Sequence, residues 1–229
     1  MKKVSLGLLL LAGTVALAKD GAGAKSVSGV YKIKFGEYPG TMRIVQDGDF
    51  VCGTYAGDDG GGDGWLGGTL AAGKLTGLQT SSGESASNGY PIALAFAGKK
   101  VDGTFKEDSA SADKPWTGAQ TGGFPSVPNV SGDYTVQWGD EKIVIHMKQV
   151  GNKITGTREY LNSGTPAGTI KGTITGNMAT GTVDYEDLHG RWQWTHSTNR
   201  LAWLAISGTY GVDRDHCDNG GYVKGGRGK

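Results

Sequence analysis

The segment Val27-Ser28-Gly29-Val30-Tyr31 returns 103 residues later as Val130-Ser131-Gly132-Asp133-Tyr134. The spacing persists downstream. Gly36 meets Gly139, Gln46 meets Gln149, Gly48 meets Gly151, and Gly53-Thr54 meets Gly156-Thr157. Nine of the 29 positions from Val27 to Tyr55 are identical without a gap. Beyond them the offset drifts at turns: Gly68-Thr69-Leu70 meets Gly172-Thr173-Ile174, Gly77 meets Gly181, and Gly103-Thr104-Phe105 meets Gly208-Thr209-Tyr210. A chain that repeats itself in this way folds as two similar units. Gly122 to Asn129, with Pro125 and Pro128, reads as the linker. The units are therefore residues 27–121 and 130–229.

Each unit parses into eight short strands. In the first they centre on Tyr31–Lys34, Thr41–Gln46, Phe50–Tyr55, Trp65–Leu70, Lys74–Thr80, Ile92–Phe96, Lys100–Phe105 and Trp116–Gln120. Asp47-Gly48, Gly73-Lys74 and Gly98-Lys99 supply hairpin turns, as do Gly151-Asn152 and Gly176-Asn177 in the second. Ile143, Ile145 and Met147 alternate with Val144, His146 and Lys148, the period of a half-buried strand. No 3.6-residue pattern is sustained. The 42 glycines are interleaved with Thr, Val, Ile and aromatics and have no collagen period. Short antiparallel strands leave two exposed edges unless the sheet closes. The expected fold is all-β: two tandem up-and-down meanders, each closed into an eight-stranded barrel. A β-sandwich or one larger barrel are the alternatives.

Lys2 and Lys3, the apolar run Val4–Leu11 and the small-residue site Ala16-Leu17-Ala18 form the pattern of a signal peptide spanning residues 1–18. Secretion or residence in a periplasm is the expected consequence. Losing Lys2 and Lys3 takes the formal charge from +1 to −1, which argues against bulk binding to nucleic acid or anionic lipid. No later segment has the apolar length of a membrane helix. The two cysteines, Cys52 and Cys217, are far apart. In an oxidising compartment they either pair or remain thiols. A bridge would clamp the two units together and add roughly 4–5 kcal/mol on the chain-entropy model.

Gly29-Val30-Tyr31, Gly53-Thr54-Tyr55 and Trp116-Thr117-Gly118-Ala119-Gln120 are similar in order and spacing to the avidin and streptavidin family. More broadly, Gly29-x-Tyr31 and Gly132-x-Tyr134 resemble the opening Gly-x-Trp of lipocalin-like barrels. The resemblance implies an eight-stranded up-and-down barrel with a site at its mouth. Of the avidin ligand contacts only Tyr55 is matched, and its counterpart in the second unit is Arg158. The paired tryptophans of the family's sixth strand are absent from Ile92–Phe96. The second unit carries Trp192 and Trp194 but ends in Tyr222-Val223-Lys224-Gly225. The resemblance thus implies a fold and leaves the ligand open.

Tyr55, Trp116, Trp138, Arg158, Trp192, Trp194 and Trp203 are the candidate ligand-binding residues. Trp192 and Trp194 lie two apart and share a face on a strand. That face either lines a pocket, stacks on a sugar or another subunit, or fills the barrel. Trp65 has the same ambiguity. Asp58, Asp59 and Asp63 on a glycine-rich turn are candidate Ca²⁺ ligands, although the spacing is not that of an EF-hand. Asp213-Arg214-Asp215-His216-Cys217-Asp218 lacks the spaced ligand pairs of a zinc site. Glu159, Glu186, Asp187 and His189 are the acidic and basic groups available for catalysis.

No Gly-x-Ser-x-Gly elbow, His-Glu-x-x-His or phosphate-binding glycine loop is present. The expected function is therefore a noncatalytic binding protein with a small apolar or aromatic ligand in a barrel, and with no cofactor. The alternatives are a surface or periplasmic module binding protein or glycan through its loops, and an all-β hydrolase or isomerase using acidic residues of the second unit.

Overall fold

The computed structural model describes residues 26–60, 62–81, 89–185, 188–198, 204–211 and 221–227. Every regular element among them is a strand. The first unit runs through β1 (Gly29–Phe35), β2 (Tyr38–Asp47), β3 (Phe50–Gly57), β4 (Asp63–Ala71), β5 (Lys74–Ser81), β6 (Tyr90–Ala97), β7 (Lys100–Phe105) and β8 (Lys114–Gly122). The second runs through β9 (Gly132–Trp138), β10 (Glu141–Val150), β11 (Lys153–Tyr160), β12 (Pro166–Thr175), β13 (Met178–Tyr185), β14 (Leu188–Thr198), β15 (Leu204–Tyr210) and β16 (Gly221–Arg227). Consecutive strands pair antiparallel. β1 closes on β8 and β9 closes on β16, giving two eight-stranded barrels with no open edge.

The hairpins follow the turn chemistry. Gly48, Gly98, Gly151 and Gly176 all have φ near +60°. The turn expected at Gly73-Lys74 sits one residue earlier, because Lys74 already opens β5. Ala72 is left at φ 49° beside Gly73 at 78°. The glycines that align at the drifted offset have a different cause. A Cβ on Gly68 would lie 2.6 Å from the Gly77 Cα, and one on Gly172 would lie 2.8 Å from the Gly181 Cα. Each pair lets two strands approach where a small barrel turns its corner.

Alternate residues of every strand fill the lumen. In the first barrel these include Tyr31, Ile33, Phe35, Met42, Ile44, Leu66, Leu75, Ile92, Leu94 and Trp116, all buried. Strand register makes Ile92 and Leu94 of β6 equivalent to Trp192 and Trp194 of β14, since Ile92 pairs with Gly77 and Trp192 with Gly181. It makes Trp116 of β8 equivalent to Val223 of β16, since they pair with Gly103 and Gly208. The bulk has moved two strands around the wall: one copy fills the lumen from β8, the other from β14, the counterpart of β6. An eight-stranded barrel is just wide enough for either arrangement.

The strongest sequence matches build one end of each barrel. Val27 and Val130 are buried beneath β1 and β9, and their carbonyls accept from the hydroxyls of Tyr31 (2.7 Å) and Tyr134 (2.8 Å). Burial pushes both phenols up to about 12. Gln46 Oε1 accepts from the Val27 N–H at 3.1 Å, and Gln149 Oε1 from the Val130 N–H at 2.8 Å. The same glutamines donate to the carbonyls of Gly48 and Gly151 at 2.7 and 2.8 Å. Ser28 and Ser131 accept from the glutamine backbone N–H groups. This plug pairs the buried tyrosine hydroxyls, the valine N–H groups and the glutamine amides in the same way in both copies.

The barrels pack side against side. Val45, Phe50 and Cys52 point outward from β2 and β3 yet are buried. The Arg191 guanidinium stacks 3.4 Å above the Phe50 ring. Thr173 donates to Asp47 at 2.6 Å, and Gln193 Nε2 donates to the Gly53 carbonyl at 3.3 Å. Lys153 lies 3.6 Å from Asp47. Cys52 is fully buried on this seam. Cys217, with which it either pairs or does not, lies outside the described residues.

Candidate functional site at the mouth of the second barrel

The end opposite the plug carries the longer connections and the most aromatic ring of each lumen. In the first barrel Phe35, Tyr55, Phe105 and Trp116 form one aromatic cluster, with centroids 5.2–6.3 Å apart, edge-to-face except for the tilted Phe35–Trp116 pair. Tyr55 donates its hydroxyl to Gln79 Oε1, and Gln79 Nε2 donates to the Lys106 carbonyl at 2.7 Å. Tyr55 is thus held in the wall of a packed core. Gln79 was not singled out in the sequence, where it reads as one polar residue of an alternating strand.

At the equivalent place in the second barrel stands Arg158, only 6% exposed. Its guanidinium lies 3.9 Å over the Trp138 ring. Its Nε and Nη1 have no hydrogen-bond partner, nor does the Trp138 indole N–H. Burial pushes the guanidinium down to about 10, partly offset by the neighbouring Tyr160 and Tyr210 phenols, so it is charged at neutral pH. Arginine on aromatic faces is well accommodated, but buried donors without acceptors cost about 1–3 kcal/mol each.

β11 and β12 bulge between Arg158 and Glu159, opposite Gly168 at φ 105°. The bulge opens a cleft of about 500 Å³, lined by Arg158, Glu159, Gly168, Thr169, Asp184 and Tyr185 among others. The two rim carboxylates are already engaged. Glu159 lies 3.3 Å from His146 Nε2, and Asp184 lies 3.2 Å from His189 and 3.9 Å from Lys171. The Asp133 hydrogen bond raises the His146 pKa, opposed by desolvation and supported by a weaker contribution from Glu159.

Behind Arg158, Trp192 and Trp194 stack face to face, with centroids 3.9 Å apart. The Trp192 indole donates to the Thr182 carbonyl at 3.0 Å. Both rings are buried and belong to the core. Trp138 meets Trp194 edge-on and Tyr210 at a tilt. The structure thus brings Trp138, Arg158, Trp192 and Trp194 into one lumen. Tyr55 and Trp116 lie in the other. Trp203 lies outside the described residues.

Asp58 is held by Lys32 at 3.0 Å, and among the described residues no three His, Cys, Asp or Glu side chains converge as for a metal. Glu186, Asp187 and the loop from Asp213 to Asp218 lie outside the described residues. Among the described residues no helix is long and apolar enough to cross a membrane. Comparison with protein-family models, curated proteins and solved structures finds no match to this chain.

Proposed function

We propose that the chain is an exported, noncatalytic binding protein, and that its second barrel takes a small apolar or aromatic molecule bearing a carboxylate or carbonyl. The observation that carries this reading is Arg158, a buried cation on Trp138 with unpaired N–H groups beside an open cleft. An acceptor oxygen on the ligand would pair with those donors, and Pro166 and Tyr185 of the cleft lining supply apolar contact. The avidin-like and lipocalin-like resemblance supports a ligand at a barrel mouth. The N-terminal pattern supports export.

A panel of aromatic and aliphatic monocarboxylates, read by thermal shift and calorimetry, tests the reading. At a hundredfold excess over Kd a true ligand stabilises by about 2.7 kcal/mol. Arg158→Met should abolish that gain while leaving the free protein at least as stable, because unpaired buried donors have been removed. If no member of the panel binds and Arg158→Met instead unfolds the barrel, the arginine is structural and the proposal fails.

A further inference from the structure

A second cleft, of about 300 Å³, lies between the two barrels. Thr54 and Trp65 line it from the first barrel, and Gln193, Thr195, Ser207 and Tyr222 from the second. Trp65 and Tyr222 meet edge-on across the seam, with ring centroids 6.3 Å apart. Tyr222 is 64% exposed, unusual for so large a ring. Gln193 is only 2% exposed. Its Nε2 donates toward Gly53 and Thr209, while its Oε1 is buried without a partner.

The chemistry of this lining is selective. None of the lining side chains is charged, so an ionic ligand would lose its hydration without gaining a counter-charge. A purely apolar ligand would leave the hydroxyls and the Gln193 carbonyl oxygen unpaired. A neutral ring with an apolar C–H face and several hydroxyls satisfies both the aromatic pair and the amide. The volume is at the small end of the ~300–1,000 Å³ range of ligand sites, enough for one such ring or two.

We infer that the seam between the barrels is a binding site for a neutral saccharide, with Trp65 and Tyr222 as the stacking platform and Gln193 Oε1 accepting a sugar hydroxyl. The site is independent of the Arg158 cleft. It also gives the duplication a use, because neither barrel has it alone. By strand register the counterparts of Trp65, Gln193 and Tyr222 are Thr169, Ala93 and Pro115, so the lining residues are among those in which the two copies differ.

The test is titration of the full chain with methyl glucoside, methyl galactoside, methyl mannoside, N-acetylglucosamine and their β-1,4-linked and α-1,4-linked disaccharides, read by tryptophan fluorescence and calorimetry. Saturable binding of at least one is expected. Tyr222→Ala, at an exposed position, should weaken it tenfold or more, and so should Gln193→Met, which keeps the volume and removes the acceptor. Glucuronate should bind at least tenfold less tightly than its neutral parent. The inference is overturned if no neutral saccharide in the panel saturates, or if binding is unchanged in both variants while circular dichroism shows them folded.

Discussion

Trp194 donates its indole N–H to Nε2 of His196 at 2.9 Å, deep inside the second barrel. His196 is fully buried, and Nδ1 has no partner. Burial pushes its pKa down to about 4, with the Arg227 charge adding to the effect. The acceptor nitrogen must be unprotonated to receive the indole proton, so the neutral ring is the one the fold selects.

Stability should therefore fall with acidification between pH 6.5 and 4. Above 6.5 neither state holds the proton. Below it the unfolded chain takes up a proton that the folded barrel refuses, and the deficit approaches about 3 kcal/mol by pH 4. His196→Phe, which installs the residue found at this register in the first barrel (Phe96), should remove that slope. It should also cost about 1–3 kcal/mol at pH 7 by orphaning the indole. Urea denaturation of both proteins at pH 7 and pH 4.5 measures the two effects.

Gln149→Ala strips the plug of the second barrel. The Val130 N–H loses its acceptor and the Gly151 carbonyl its donor. A loss of about 1–3 kcal/mol is expected. Hydrogen exchange should show the Val130 amide opening more readily, while the mouth around Arg158 keeps its protection. Equal loss of protection at both ends would show that the plug is not a local device.

Trp116→Val gives the first barrel the small residue of the second at that register, without the tryptophans that offset it on β14. The expected cost is about 3–5 kcal/mol from the cavity. Adding Leu94→Trp should recover part of it, because the bulk returns to the lumen from β6, two strands away. Chemical denaturation of the single and double variants gives the coupling. Strict additivity would show that the two positions do not share the space.

Cys52 is buried on the barrel seam, and Cys217 lies outside the described residues. Non-reducing digestion of protein made in an oxidising compartment should release a peptide joining Cys52 to Cys217. Reduction should lower stability by an amount that Cys52→Ser reproduces without reductant. Two alkylatable thiols in the denatured, unreduced protein would show that the bridge does not form.

The fold was legible because both of its signals are local. Alternation at Ile143, Ile145 and Met147 places side chains in or out of a strand whatever the rest of the chain does, and all eight strand centres read in the first unit fall within β1–β8. The repeat was legible for a narrower reason. Its best matches, Val27-Ser28-Gly29 with Tyr31, Gln46 and Gly48, are the plug, whose hydrogen bonds leave little freedom of substitution. The candidate sites were less legible. Trp192 and Trp194 have a common face by spacing, but only closure of the sheet decided that this face is the lumen.

Gln193 is placed by packing and not by local pattern. It lies between two core tryptophans, so period-two alternation turns it outward, toward water. The packing of one barrel against the other buried it instead, together with Phe50 and Cys52. The amino-acid sequence by itself determined two similar units of eight short antiparallel strands, because strand alternation and turn glycines act over a few residues, and the tertiary structure closed each into a barrel. The tertiary structure decided that Arg158 is a cation without hydrogen-bond acceptors at its Nε and Nη1, and that a neutral cleft lies between the barrels. Burial and the loss of partners depend on what packs from a distance, which no local pattern encodes.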